Sequence, residues 1–376
     1  MITWIKSHYV LGDTGFQPAS VGINDGRIVE VKEYKEGKDY GNSLIVPGFI
    51  DLHTHGGYGY DVMEANTDGM LIWLNELPKE GTTSLLISPY TSSLTSMKES
   101  VERIARLDHN KIIPDVLGIY LEGPFVSKQQ LGAMPEAYVK KPSIKDFQYI
   151  AGSDQNQIKI CAMACEEDEH YQLMNYLSEN EIIISAGHTN MSFDQAISAK
   201  NHGMKSFTHV FNAMRGIHHR DVGTAGAAML FDDCYAEIIM DGKHVSFEAI
   251  KLLYKTKREK LMFITDSLNI KGCKEGIYDL DGIKIEMKKG CAYLAGSNQL
   301  AGSTMTMLKS VQNAVFMADI PIIEAIQMAS QNPAKLLELQ DRKGKIKEGF
   351  DCDLCVLEPS LQLIQTYCRG KECIIN

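Results

Sequence analysis

The chain has 376 residues, 44% of them hydrophobic and 23% charged, which is enough to bury a large core and build one sizeable α/β domain with a smaller element beside it. Its 38 basic and 48 acidic side chains leave a net charge of −10, which argues against a nucleic acid or an anionic membrane as partner; an anionic substrate must be held by a local basic cluster working against the global field. Nine cysteines without framework spacing fit reduced, cytoplasmic thiols, the opening Met1–His8 lacks the apolar run of a signal peptide, and no stretch is long and apolar enough to span a membrane.

Residues 1 to 46 carry short strand-like runs broken by Gly12, Gly15, Gly22, Gly26 and Gly37, and Asp25-Gly26 reads as a hairpin turn between Val21–Ile23 and Ile28–Val31. A regular alternation follows. Runs rich in β-branched and apolar residues predict strands at Leu44–Leu52, Thr83–Ser88, Asp115–Leu121, Ile158–Ala164, Ile182–Ala186, Ser206–Val210, Tyr235–Met240 and Leu261–Thr265. Amphipathic segments between them predict helices, for example over Thr67–Leu77, Glu167–Asn180, Ser192–His202 and Ser246–Thr256. Strands alternating with helices pair in parallel through crossovers, and eight of them are what closes a barrel. A doubly wound open sheet is the alternative, but no Gly-rich dinucleotide turn follows the first strand. After the eighth strand, Ile277 to Leu294 reads as an inserted hairpin with Asp281-Gly282 as its turn, and helices are predicted over Thr304–Met317 and Ile322–Leu337. From Gly344 strand character returns at Lys345-Ile346, Asp353–Leu357 and Leu363–Tyr367. The expected fold is therefore α/β: a (β/α)8 TIM-type barrel over residues 47–343, with a small β-sandwich domain in which the segments 1–46 and 344–376 join in one sheet layer. The Cys352-Asp353-Leu354-Cys355 motif has no second pair and no βαβ unit around it, and reads as packing rather than as a zinc or redox site.

The informative residues fall where barrel enzymes build their sites, at the C-terminal ends of strands. His53 and His55 end the first strand, and their spacing puts both imidazoles on one face of an extended chain. Glu122 ends the third strand, His188 the fifth, His209 the sixth and Asp266 the eighth. Any one of these could be a satisfied core or loop residue; six of them on five strand ends point to a metal site. Histidine and carboxylate donors without thiolate suit Zn(II), Fe(II), Mn(II) or Co(II) and disfavour Ca(II). Six donors exceed what one tetrahedral ion needs, so either two ions bind or one residue is catalytic rather than coordinating. The fourth strand ends Met163-Ala164-Cys165-Glu166 without a lysine to carry a bridging carbamate, which leaves Glu122 as the natural bridge in the two-ion case.

These stretches, with Leu121-Glu122-Gly123-Pro124-Phe125, Ser185-Ala186-Gly187-His188-Thr189, Thr208-His209-Val210-Phe211-Asn212-Ala213-Met214 and Thr265-Asp266, resemble the amidohydrolase superfamily, and within it the N-acetylglucosamine-6-phosphate deacetylase family. The resemblance runs nearly end to end and includes a closing Gly344-x-Ile346-x-x-Gly349-x-x-x-Asp353-Leu354 pattern. It implies Glu122, His188 and His209 as ligands of one metal, Asp266 as catalytic acid/base beside the metal, and His53 and His55 as ligands of a second ion. It further implies substrate contacts from Ala133, Asn212, Ala213, His244, Leu300, Ala301 and Gly302, and a homodimer in which Arg220 reaches the partner subunit's substrate phosphate. Two positions depart from the family pattern: Met134, which stands where many relatives have a polar residue or histidine, and Cys165, which replaces a frequent proline. Taken from the residues alone, Arg220 could be a surface ion pair, and His244 could cap the helix that follows Ser246. The implied reaction is metal-dependent deacetylation of an amino-sugar 6-phosphate. The galacto epimer or another N-acyl compound is the alternative substrate, and a non-catalytic scaffold of the same fold is the alternative class.

Overall fold

The computed structural model describes residues 1–280 and 282–374. At its centre is a parallel sheet of eight strands: Phe49–Asp51 (β1), Thr82–Ile87 (β2), Asp115–Glu122 (β3), Ile158–Met163 (β4), Ile183–Ala186 (β5), Met204–Phe207 (β6), Tyr235–Ile239 (β7) and Leu261–Ile264 (β8). Each strand pairs with its neighbours in sequence, and the two ends meet: Asp266 N donates to the His53 carbonyl at 2.8 Å, and Thr54 and Ser267 form a parallel bridge. The sheet is thus a closed barrel. The alternation of side chains along each strand divides the core in two. Ile50, Leu52, Ile160, Ala162, Met262 and Ile264 fill the barrel interior, while Phe49, Cys161, Met163, Leu261 and Phe263 face the helical layer.

The helices begin where the sequence supplies capping side chains. Ser192 forms a full capping box with Gln195, and Asn66, Ser93, Ser143, Ser246 and Thr306 each accept a backbone N–H three residues on. Among the described residues no helix is long and apolar enough to cross a membrane.

Four expectations about elements are corrected. The run Leu44–Leu52 is two strands: Leu44–Pro47 pairs antiparallel with Leu354–Leu357 in the terminal sheet, and only Phe49–Asp51 enters the barrel. The break falls at Gly48, where a Cβ would overlap the Thr83 side chain and where the N–H donates sideways to the Asp353 carbonyl at 2.8 Å. The run Ile322–Leu337 is likewise two helices, Ile322–Ala329 and Gln331–Leu336, separated at Ser330 (φ −139°). The second turns so that Ala334 and Leu336 join the barrel-interior core and Asn332 Nδ2 donates to the Leu261 carbonyl at 2.8 Å. Lys345-Ile346 forms no strand; Ile346 instead packs into the core of the terminal sheet. The insertion after β8 has three antiparallel strands rather than two, Gly276–Leu280, Ile283–Lys288 and Cys291–Leu294; of its predicted turn, Asp281 lies outside the described residues.

The N- and C-terminal strands form one mixed sheet, to which Lys371–Cys373 adds a further edge strand. The strands of this sheet are hydrogen-bonded continuously and share a core that includes Ile5, Val21, Ile28, Ile45, Leu354 and Tyr367. Both cysteines of the CxxC motif are fully buried, Cys352 in this core and Cys355 on the barrel side of the sheet.

A buried ionic cluster joins this sheet to the N-terminal end of β3. Lys343 Nζ, almost wholly buried, lies 2.7 Å from Asp353, 3.0 Å from Asp115 and 3.0 Å from Asp351. Removing one partner of such a cluster leaves uncompensated buried charge, typically costing about 3–5 kcal/mol. Lys343→Met is therefore expected to lower the urea midpoint strongly at neutral pH. Arg342 still pairs with Asp115 and Asp351, so the carboxylate left uncompensated is Asp353, which burial already holds above its usual value; losing the lysine raises it further, and the destabilisation should shrink as the pH falls through it. Equal stability of variant and wild type at pH 7 would contradict this account.

Candidate metal centre and cleft

All six expected donors converge. His53, His55 and Asp266 offer ligand atoms that lie within 4.8 Å of one another, and so do Glu122, His188 and His209; all six residues are buried. Glu122 stands between the groups. Its Oε1 lies 3.2 Å from His188 Nε2 and 3.1 Å from His209 Nε2, and its Oε2 lies 3.4 Å from His55 Nε2. His55 Nε2 is also 2.9 Å from Asp266 Oδ1.

The chemistry of this set fits a divalent metal. Three histidines have their outer nitrogen held by an acceptor: His55 Nδ1 donates to the Ser88 carbonyl (2.7 Å), His188 Nδ1 to the Gln130 carbonyl (3.0 Å) and His53 Nδ1 to Glu237 Oε2 (3.2 Å). Each is thereby fixed in the tautomer that leaves Nε2 bare and aimed inward, the arrangement seen around metal-ligating histidines. The bare Nε2 of His188 comes within 3.2 Å of His209 Nε2, and the bare Nε2 of His53 is buried without a hydrogen-bond partner among the described residues. Buried imidazole and carboxylate lone pairs aimed at one another suit a shared cation.

The backbone is bent to bring these groups together. His188, His209 and Asp266 follow directly on β5, β6 and β8 with φ of 48°, 28° and 50°, in the left-handed region that ordinary side chains rarely adopt. Such strain concentrates where the surrounding structure fixes a functional geometry. Gly132 (φ 59°) packs against the far side of His188, where a Cβ would come 3.2 Å from Cε1.

Electrostatics follow the same pattern. Burial pushes the Glu122 and Asp266 carboxyls up, and positive charge at the facing imidazoles, whether a proton or a cation in its place, holds both below their usual values, Glu122 far below. Burial lowers His244, yet its 2.7 Å contact with Asp241 raises it on balance. Burial lifts Asp61, which accepts from the Tyr90 hydroxyl at 3.2 Å, to about 7.

The centre forms the floor of an open cleft of about 210 Å³. Ala133, Asn212, Ala213, His244, Leu300, Ala301 and Gly302 all line it, as does Met134. Asn212 sits on the Val210–Met214 turn and donates from Nδ2 to the His209 carbonyl at 3.2 Å. His244 is not a helix cap; Ser246 caps the helix itself. Cys165 is buried outside this lining. Arg220 does not line the cleft of its own chain: it stands on an exposed turn with His218 and His219, whose rings are 4.1 Å apart.

Three features escaped the sequence reading. Glu237 on β7 is fully buried and holds His53; its signal was a lone charge in the apolar run from Tyr235 to Met240. Tyr90 lines the cleft with its ring edge-on to His55, centroids 5.4 Å apart, and carries no local motif. Leu280, Ile283 and Ile285 of the insertion form an apolar wall, which no strand-end logic points to.

The amidohydrolase family model matches residues 44–373. The N-acetylglucosamine-6-phosphate deacetylase of Bacillus subtilis (strain 168) is 34% identical over 368 residues, covering 95% of this chain and 93% of that protein. The N-acetylgalactosamine-6-phosphate deacetylase of Escherichia coli O157:H7 is 31% identical over 329 residues, covering 87% of each. Among solved structures, the N-acetyl-D-glucosamine-6-phosphate deacetylase of Mycobacterium smegmatis, in complex with N-acetyl-D-glucosamine-6-phosphate, superposes with a TM-score of 0.94 at 27% identity, covering 99% of both chains.

Proposed function

The chain belongs to the amidohydrolase family, and from that premise we propose that it hydrolyses the N-acetyl amide of N-acetylglucosamine 6-phosphate, releasing acetate and glucosamine 6-phosphate. The observation that carries this reading is the convergence of six buried donors from five strand ends on the floor of a cleft. Glu122, His188 and His209 would hold one divalent ion; His53 and His55, with Glu122 between the sites and Asp266 beside them, would hold a second, with Zn, Fe, Mn and Co all compatible with the donors. A bound divalent ion polarises a carbonyl and brings the pKa of a water towards about 7.

The chain's own residues then perform the proton work. Asp266 takes the proton of the water that adds to the acetyl carbon and delivers it to the sugar nitrogen as the C–N bond breaks. Asn212, Ala213, His244 and the Leu300-Ala301-Gly302 stretch orient the sugar, and Ala133 packs beside it. Arg220 pairs with the phosphate of a substrate bound in the partner subunit of a homodimer. Residues 47–343 form the catalytic unit, residues 1–46 and 344–376 its companion, and the nine free thiols suit a cytoplasmic setting.

Chelator-dialysed protein should release no acetate from N-acetylglucosamine 6-phosphate, and a divalent ion added back should restore release. Elemental analysis should give two ions per chain in the wild type and one after His53→Asn with His55→Asn. Full activity without metal would overturn the reading. Faster turnover of N-acetylgalactosamine 6-phosphate in the same assay would reassign the substrate to the galacto epimer.

A further inference from the structure

Glu237 is a buried carboxylate at the centre that stands outside the metal-ligand set, and its surroundings give it a task. It is fully buried in β7, between the strands that carry His209 and Asp266. A single oxygen, Oε2, gathers three donors: His53 Nδ1 at 3.2 Å, the Tyr120 hydroxyl at 3.3 Å and the backbone N–H of His209 at 3.3 Å. Its other oxygen, Oε1, has no partner among the described residues. An isolated carboxylate in such a place is costly, and it persists only where what it holds offsets that cost.

What it holds is the first imidazole of the His-x-His pair. His53 lies between two surfaces: the Tyr120 ring stacks on its face, centroids 4.3 Å apart and planes 22° from parallel, and Glu237 grips its outer nitrogen. Tyr120 is held in turn by its hydroxyl, 2.8 Å from Thr208 Oγ1, which is 2.7 Å from Ser185 Oγ. The ring can therefore neither flip nor tilt without breaking a buried charge-assisted bond. A carboxylate on the remote nitrogen also makes the bare Nε2 a stronger donor. The other histidines with a held outer nitrogen, His55 and His188, have neutral carbonyls behind them. The contrast marks the His53 end as the one that needs added negative charge.

We propose that Glu237 is the positioning residue for the metal site of His53 and His55: it fixes the His53 tautomer, aims Nε2 and supplies the charge that lets a second cation sit beside the one held by Glu122, His188 and His209. This rests on the two-ion reading above. Losing an outer-shell partner of this kind typically weakens metal affinity by about 10–100-fold.

The test is a metal titration of the full chain, followed by competition with a chromophoric chelator and, for the cobalt-loaded protein, by its visible spectrum. The variants are Glu237→Gln, which keeps an acceptor without the charge, and Glu237→Ala, which removes both. Wild type should bind two ions. Glu237→Gln should bind the weaker one at least about ten-fold less tightly with the tighter one unchanged, and Glu237→Ala should retain only the tighter ion. Restoring the carboxylate as Glu237→Asp, with excess metal, should recover part of the second site. A residue that merely supported the fold would weaken both ions together or neither. Two ions in wild type and two, equally tight, in both variants overturn the proposal alone, and so does parallel loss of both ions. One ion in wild type overturns the two-ion reading and the proposal with it. If Glu237→Ala fails to fold, Glu237→Gln decides by the same criterion.

Discussion

Asp266→Asn should abolish turnover while leaving the fold and most of the bound metal in place. The backbone at this position is fixed independently of the side chain: its N–H donates to the His53 carbonyl at 2.8 Å and its carbonyl accepts from Ser303 N at 2.7 Å. Asparagine fills the same volume and is among the few residues that tolerate the φ of 50° found here. An amide can still face His55 Nε2 across the 2.9 Å now spanned by Oδ1, but it cannot accept a proton from water and hand it to an amine. Losing general acid–base catalysis costs at least about 10²–10⁴-fold in rate. Acetate release measured beside thermal unfolding and metal content separates the explanations. A folded, metal-loaded and inactive variant is the expected result. Near-native activity would remove Asp266 from the mechanism, and an inactive variant that regains activity in excess metal would make it a ligand first and a proton carrier second.

How much of this could be read before the structure was known depended on how local the signal is. The barrel strands announce themselves by short apolar runs: six of the eight lie within one residue of where the run falls, the sixth is displaced two to three residues towards the N-terminus, and the first is only the last part of a longer run. Strand-end donors were equally legible, because parallel topology places them on one rim whatever the details of packing. Signals failed where tertiary contacts overrode local preference. Gly48 sits inside a continuous apolar run, and only the closeness of Thr83 shows that the chain must leave one sheet there and enter another. Ser330 interrupts a pattern that is helical throughout, because Leu336 has to reach the barrel interior. The grip of Glu237 on His53 spans 184 positions, so no spacing rule could have announced it. The apolar wall of Leu280, Ile283 and Ile285 belongs to an insertion whose strands read as strands but whose destination over the cleft does not.

Arg220→Ala should weaken N-acetylglucosamine 6-phosphate about ten- to a hundred-fold while leaving any slow hydrolysis of unphosphorylated N-acetylglucosamine nearly unchanged. The range is what the loss of a charge-assisted pair of about 1.5–3 kcal/mol implies. The turn that presents Arg220 is pinned at its base rather than along its length. His218 and Asp221 exchange backbone hydrogen bonds, Arg215 pairs with Asp221 at 2.6 Å, and Asp221 also accepts from Phe193 N and Gly223 N. The tip beyond that anchor carries His218, His219 and Arg220, all exposed, and among the described residues the guanidinium has no carboxylate partner. An unpaired arginine beside two histidines is a concentrated basic site on a chain whose net charge is −10. A planar fork of donors suits a phosphate, and its position outside its own cleft suits a phosphate bound in a neighbour. Mixing subunits tests the second half of that statement. Arg220→Ala and Asp266→Asn homodimers should each be poor, for different reasons. A mixed dimer contains one site that combines an intact Asp266 with the partner subunit's intact arginine, so activity should return on subunit exchange. If the subunits demonstrably exchange and no activity returns, the arginine serves its own chain or none, and the phosphate must be held by other groups.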